Sequence, residues 1–154
     1  MRTVHATFAL LLATTAPVLA QAGHPDLLAG PDAVKWGPAP PSFPKGAMLA
    51  VLSGDPPKTG AYVLRLKMPA GYQIPAHHHP TTENVTVISG SFHAGMGDKL
   101  DRDKALTFAP GGFAALPANM NHYAWAKGET VVQVHGDGPF AITYVNPADN
   151  PTKK

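Results

Sequence analysis

What most constrains this chain is a succession of short apolar or alternating segments, each bounded by Gly, Pro, Asn or Asp, with no stretch that sustains a helical period. The segments are 48–52, 61–68, 72–79, 83–88, 92–96, 106–109, 113–116, 122–126, 130–135 and 141–144. About ten strands without helices to build parallel crossovers have to pair antiparallel, so the expectation is an all-β sandwich or barrel. At 154 residues the chain holds one such core and little more. The one notably charged connection, 97–104, reads as a solvated loop, and there is no internal repeat.

The ends read differently. Arg2 supplies a positive start, residues 6–16 are apolar apart from threonines, and Val18-Leu19-Ala20 offers small residues at a cleavage position. This predicts a secretory signal peptide over 1–20, hence a periplasmic or secreted protein with no membrane attachment after cleavage. The apolar run falls short of the roughly 20 residues that a retained helical anchor needs. Residues 21–47, rich in proline and glycine, read as an irregular N-terminal arm, 48–147 as the barrel and 148–154 as a C-terminal tail. Lys and Arg total 12 against 10 Asp and Glu, so the basic surplus that nucleic-acid binding needs is missing and no such partner is expected. The chain has no cysteine, which excludes disulfides, thiolate ligands and cysteine nucleophiles together. A metal site has to be built from imidazole, carboxylate or water, which suit iron, manganese, nickel, copper or zinc.

The histidines are therefore the residues to follow. In His77-His78-His79-Pro80-Thr81-Thr82-Glu83 a strand projects His77 and His79 from one face and His78 from the other. Glu83 has the same parity, yet continuous strand at about 3.3 Å per residue would carry it roughly 20 Å from His77. Ligands of one ion lie about 2.0–2.2 Å from it, so the chain has to reverse at Pro80-Thr81-Thr82, as in a hairpin. A second turn at Ser89-Gly90, if it is a two-residue loop, sets Val87 opposite Phe92, Val85 opposite Ala94 and Glu83 opposite Met96. All six then face inward and His93 faces outward. The Glu83 carboxylate would sit at the edge of an apolar interior, where a metal ion offsets the cost of its charge. His122 is the fourth candidate, since it follows the turn-rich 117–121 and the alternate Ala124 and Ala126 leave space. The inferred interior also takes in Gln73, Phe113 and Ala124, with Arg65 and Lys67 outside. His135 reads as a surface or core histidine in preference to a partner of the site, and His24 and His93 carry no signal.

This spacing resembles the cupin superfamily. The first cupin motif, G-x5-HxH-x3-E-x6-G, is matched by Gly71, His77, His79, Glu83 and Gly90. The second, G-x5-P-x-G-x2-H-x3-N, is met by Gly111, Pro117 and His122, with Asn119 in place of the inner glycine and Ala126 in place of the final asparagine. Asn tolerates the left-handed backbone region that glycine serves, so Asn119 is a mild departure, whereas Ala126 removes a polar group. The resemblance covers roughly 48–147. It implies a double-stranded β-helix, the jelly-roll-like RmlC-type barrel, with one divalent transition metal near its mouth held by His77, His79, Glu83 and His122. Short, exported, single-domain cupins are the members most similar to this chain.

Cupins include dioxygenases, isomerases, decarboxylases, sugar-binding proteins and seed storage proteins, so the resemblance constrains fold and metal before chemistry. Three imidazoles and one carboxylate leave two positions of an octahedral ion for water, dioxygen or a chelating substrate. An apolar interior without a second acid or base suits a dioxygenase-like oxidoreductase acting on a small enol- or phenol-like molecule, with Glu83 as ligand and proton acceptor. Decarboxylase-type cupins carry an arginine just before the first histidine, where this chain has Ile74-Pro75-Ala76. A second reading is a non-catalytic module that binds or senses a small ligand or the metal itself. A sugar isomerase or epimerase, which wants hydroxyl-binding groups inside the barrel, ranks third. Two apolar faces, Tyr123 with Trp125 and Tyr62 with Leu64 and Leu66, either pair two barrels in a homodimer or pack the second sheet of their own sandwich.

Overall fold

Turn residues divide 30–153, the part of the chain that the computed structural model describes, into short strands. The expected signal peptide, the start of the arm and His24 lie outside the described residues. The strands are β1 Gly37–Pro38, β2 Met48–Ser53, β3 Gly60–Met68, β4 Gln73–His78, β5 Glu83–Ser89, β6 Phe92–Met96, β7 Leu106–Phe108, β8 Phe113–Leu116, β9 His122–Ala126, β10 Thr130–Gly138 and β11 Thr143–Tyr144. They form two antiparallel sheets, a six-stranded one ordered β1-β2-β3-β10-β5-β8 and a five-stranded one ordered β11-β4-β9-β6-β7. Helix is confined, among the described residues, to short 3-10 turns, and no described helix is long and apolar enough to cross a membrane.

Period-two burial shows how the sheets face each other. β3 buries Tyr62, Leu64, Leu66 and Met68 and leaves Val63, Arg65 and Lys67 on the outer side. Val85 and Val87 of β5 and Val132 and Val134 of β10 complete that inner face, and Ile74, Phe92, Ala94, Ala124 and Ala126 meet them from the other sheet in one cluster. Burial of each larger side chain here contributes roughly 1.5–3 kcal/mol. The expected all-β double-stranded barrel is thus what the chain forms, with Tyr62, Leu64 and Leu66 packing the sandwich from within and unavailable to a partner.

Several expected pairings are different. β5 pairs with β10 and β8, while β6 pairs with β7 and β9, so Ser89-Gly90 carries the chain from one sheet to the other and closes no hairpin. Pro80-Thr81-Thr82 likewise crosses between sheets, from β4 to β5. Phe92 and Ala94 still face inward, but Met96 is exposed. The ladder between β4 and β9 shifts register between Ile74 and His77, and Pro75, which has no N–H to give the ladder, lies in that bulge. The shift places Ile74 and His77 on the same inner side and turns Gln73 out to solvent. In β8 the inward positions are Ala114 and Leu116, paired with Val85 and Glu83, and Phe113 is exposed.

The outer face of β9 is covered by its own chain. Tyr123 is fully buried and its hydroxyl donates to the Asp101 carbonyl at 2.8 Å, while the Arg102 guanidinium lies 4.7 Å from the centre of the Trp125 ring. His93 faces outward as expected, yet it is buried, stacked on Trp125 at 3.6 Å. The arm is also docked. β1 pairs with β2, Phe43 is buried, and the Tyr72 and Tyr144 hydroxyls donate to the carbonyls of Pro44 and Ser42.

Candidate metal centre

Strand ends from both sheets converge at one end of the barrel. His77 lies on β4 and pairs across the ladder with His122, the first residue of β9. His79 follows immediately after β4, and its carbonyl accepts the Asn119 N–H at 2.8 Å. Asn119 sits at φ 61°, in the left-handed region that the expected glycine would serve. Glu83 opens β5 in the opposite sheet, so the site bridges the two layers.

The structure brings together all four residues expected from the sequence. His77, His79 and His122 are 3%, 2% and 1% exposed, and their ligand nitrogens all lie within 4.8 Å of one another. Glu83 Oε2 stands 3.5 Å from His79 Nε2 and 3.6 Å from His122 Nε2, slightly beyond hydrogen-bond range. Donors about 2.1 Å from a shared ion are at most about 4.2 Å apart, so a small inward movement would satisfy one.

The second nitrogen of each ring decides its orientation. Nδ1 of His77, His79 and His122 lies 2.7, 2.7 and 2.9 Å from the carbonyls of Pro75, Ala141 and Met120 respectively. A carbonyl only accepts, so each Nδ1 carries the proton and each Nε2 presents a lone pair to the common centre. Nε2 of His79 and of His122 is buried with no hydrogen-bond partner among the described residues. A buried polar atom left unpaired costs about 1–3 kcal/mol, and a metal ion removes that deficit. On this ground the donor set fits a divalent transition metal, and the buried histidine group can hold one.

Electrostatics point the same way. Burial, reinforced by the neighbouring His122 and His79, lowers the His77 imidazole to about 3, so it is neutral at ordinary pH. Burial works against a proton on His79, but the Glu83 carboxylate outweighs it and raises that imidazole. Burial alone would push the Glu83 carboxyl up; His79 and His122 more than reverse this and hold it below the usual carboxylate range. Glu83 is therefore an anion already committed to the space between the imidazoles. A metal ion there would offset the Glu83 charge and compete with protons for the His79 Nε2 lone pair.

The group forms the polar end of a cavity of about 30 Å³. Its other walls are apolar, among them Leu64, Ile74, Val85, Phe92 and Val134, and among the described residues no polar one besides His77, His79, Glu83 and His122 lines it. Two lining residues had no signal in the sequence, Phe43 from the arm and Phe140 from the connection between β10 and β11; a third, Ile142, belongs to the expected strand 141–144, of which only Thr143–Tyr144 pairs. The Phe140 ring stacks on His79 at 4.8 Å. His78 points away, as expected. Asn121 donates to Asp98 through Nδ2 at 2.7 Å, so its Oδ1 accepts from His78 Nδ1 at 3.0 Å. His135 is half-buried in the β10 ladder, where its carbonyl accepts from Asn84.

Comparison with known proteins agrees with this architecture. No curated protein matches the chain in sequence. Among solved structures it is similar to the polyketide cyclase RemF from Streptomyces resistomycificus, with a TM-score of 0.66, 15% identity, and coverage of 82% of this chain and 89% of that one. It is similar to an RmlC-like cupin from Ralstonia eutropha JMP134, with a TM-score of 0.60, 22% identity, and coverage of 79% and 73%. A third is a candidate acetylacetone dioxygenase from Methylibium petroleiphilum PM1, with a TM-score of 0.59, 20% identity, and coverage of 92% and 90%. At these identities the likeness establishes the fold. A family model described as a domain of unknown function, DUF4437, matches residues 28–143. The chain has the cupin fold and belongs to the DUF4437 family.

Proposed function

We propose that this chain is an exported, metal-dependent oxidoreductase of dioxygenase type that acts on a small enol- or phenol-like molecule. The observation that carries this is the placement of three oriented imidazoles and one carboxylate at the end of an otherwise apolar cavity. His77, His79, His122 and Glu83 would hold the ion. A redox-active divalent metal supplies Lewis acidity toward an enolate or phenolate oxygen and the electron-transfer capacity that dioxygen chemistry needs.

The chain's own residues do the rest. The carbonyls of Pro75, Ala141 and Met120 keep the imidazoles aimed at the centre, and the apolar walls exclude water and receive the carbon skeleton of the ligand. Glu83 is a ligand and the acceptor of the enol proton. In the metal-free state its proton affinity is held down by His79 and His122, which suits the ligand role first. With no other polar side chain in the lining among the described residues, a sugar's hydroxyls would find few partners, which disfavours an isomerase or epimerase. The name of one structural neighbour is consistent with the substrate class, because acetylacetone is a 1,3-diketone that binds metals as its enolate.

The small cavity also favours a second reading, a non-catalytic module that holds the metal or a very small ligand. One experiment separates the two. Iron-loaded protein is mixed with acetylacetone or catechol under air, and oxygen uptake and ligand loss are followed together. Matched consumption of both, absent in His77→Ala, supports the enzyme. Reversible binding without consumption assigns the module, and neither binding nor consumption refutes both.

A further inference from the structure

The connection between β10 and β11 performs two tasks with the same four residues, 139–142. Phe140 lies over His79 with ring centres 4.8 Å apart, meets Tyr62 edge-on at 5.6 Å and faces Phe43 at 6.1 Å, and with Ile142 it lines the cavity. Between them the Ala141 carbonyl accepts the proton of His79 Nδ1 at 2.7 Å, and the Phe140 N–H is bonded to the Pro56 carbonyl. Pro139 and Ala141 are exposed, so solvent lies directly outside this strap. The roof of the cavity and the orientation of one imidazole therefore hang on a single short segment.

Size gives the segment its consequence. A cavity of about 30 Å³ has room for two or three waters, at about 10–15 Å³ each. An organic ligand with several carbon atoms cannot reach the four polar residues unless the roof gives way. Phe140 is only half-buried, between the exposed Pro139 and Ala141, whereas Leu64, Val85 and Val134 belong to the ladders of the sheets.

We propose that residues 139–142 are the size filter of this site, with Phe140 setting how large a ligand is admitted, and that the Ala141 carbonyl couples the strap to the orientation of His79. The inference deepens the function proposed above and rests on its metal-and-enol reading of the site. Fixing His79 in place, as a bound metal does, holds the strap through Nδ1, and shortening Phe140 opens the roof without removing that bond.

Two measurements test it on the zinc-loaded full chain, zinc being redox-inert so that no turnover intervenes. In the first, calorimetry compares acetylacetone with its phenyl-substituted analogue benzoylacetone on the wild type, Phe140→Ala, Phe140→Leu and Phe140→Tyr. The wild type and Phe140→Tyr are expected to favour the smaller ligand. Phe140→Ala is expected to tighten the phenyl compound by at least about tenfold while leaving acetylacetone within about threefold, with Phe140→Leu between. In the second, hydrogen exchange of amides 140–142 is expected to slow on zinc loading in the wild type and to be unresponsive in His79→Ala. Equal binding of both ligands by the wild type, or strap amides indifferent to zinc, overturns the proposal. A wild type that binds neither zinc nor diketone overturns the functional reading and the strap with it. A shifted size preference on the zinc-loaded protein, beside an iron-loaded protein that consumes no oxygen, supports the strap and sinks only the dioxygenase.

Discussion

Metal-free protein is expected to lose stability steeply between pH 7 and pH 5, with His77 as the main cause. Its imidazole is 3% exposed and lowered from 6.5 to about 3, chiefly by burial. As pH falls through 6.5 the unfolded chain takes up a proton that the folded protein refuses until about pH 3. Stability therefore declines with falling pH at up to about 1.4 kcal/mol per unit, or about 2 kcal/mol from pH 7 to 5. Of the other two shifts, only that of His79 touches this window, opposing the decline in its upper part, above about pH 6.5. His79 is raised, so below 6.5 it is protonated in both states and its contribution is fully present. Glu83 is lowered from 4.5, so its contribution is present above that value and is lost only at lower pH. Urea unfolding in the presence of chelator at pH 7, 6 and 5 reads the effect. With a dependence of about 2 kcal/mol per molar urea, the wild-type midpoint falls by about 1 M, and that of His77→Gln falls far less. An equal fall in both proteins, or none in the wild type, refutes the assignment to His77.

Other outcomes follow from particular backbone and side-chain positions. Gly90 sits at φ 85° where a Cβ would run into the Glu129 carbonyl and Thr130, so Gly90→Ala costs at least about 2 kcal/mol in denaturant unfolding. At Asn119, φ 61°, Asn119→Gly is tolerated within about 0.5 kcal/mol whereas Asn119→Val loses about 1–2 kcal/mol, measured the same way. Glu83→Gln keeps the shape of the side chain and removes its charge, so zinc affinity measured by competition with a fluorescent chelator falls by at least about tenfold.

The convergence of the candidate residues was legible because one ion would require fixed spacing and a common direction, and His77, His79, Glu83 and His122 carry that requirement in their positions. Strand existence was legible for the same kind of reason, since alternation and turn residues are local. Strand neighbours were not: Val85 and Val87 look the same whether β5 pairs with β6 or, as it does, with β10 and β8. Parity failed at Gln73 because the bulge at Pro75 changes it, and a proline inside a strand was the available signal. In β8 the run Phe113-Ala114-Ala115-Leu116 is too short and too uniformly apolar to show which pair faces in. Phe43 and Phe140 lie in irregular connections, where no period marks a lining residue. Tyr123, Trp125 and His93 face outward and are nonetheless covered, because loop 97–104 and the β6–β9 pairing close over them, which only tertiary structure reveals.

The central claim is that these four residues form one metal centre. Elemental analysis of the protein purified without chelators or a histidine tag tests it most directly, beside the double variant His77→Ala, His122→Ala. The account expects about one equivalent of a divalent transition metal in the wild type and none in the variant. A folded wild type that contains no metal and takes up none, or a variant that retains a full equivalent, contradicts it.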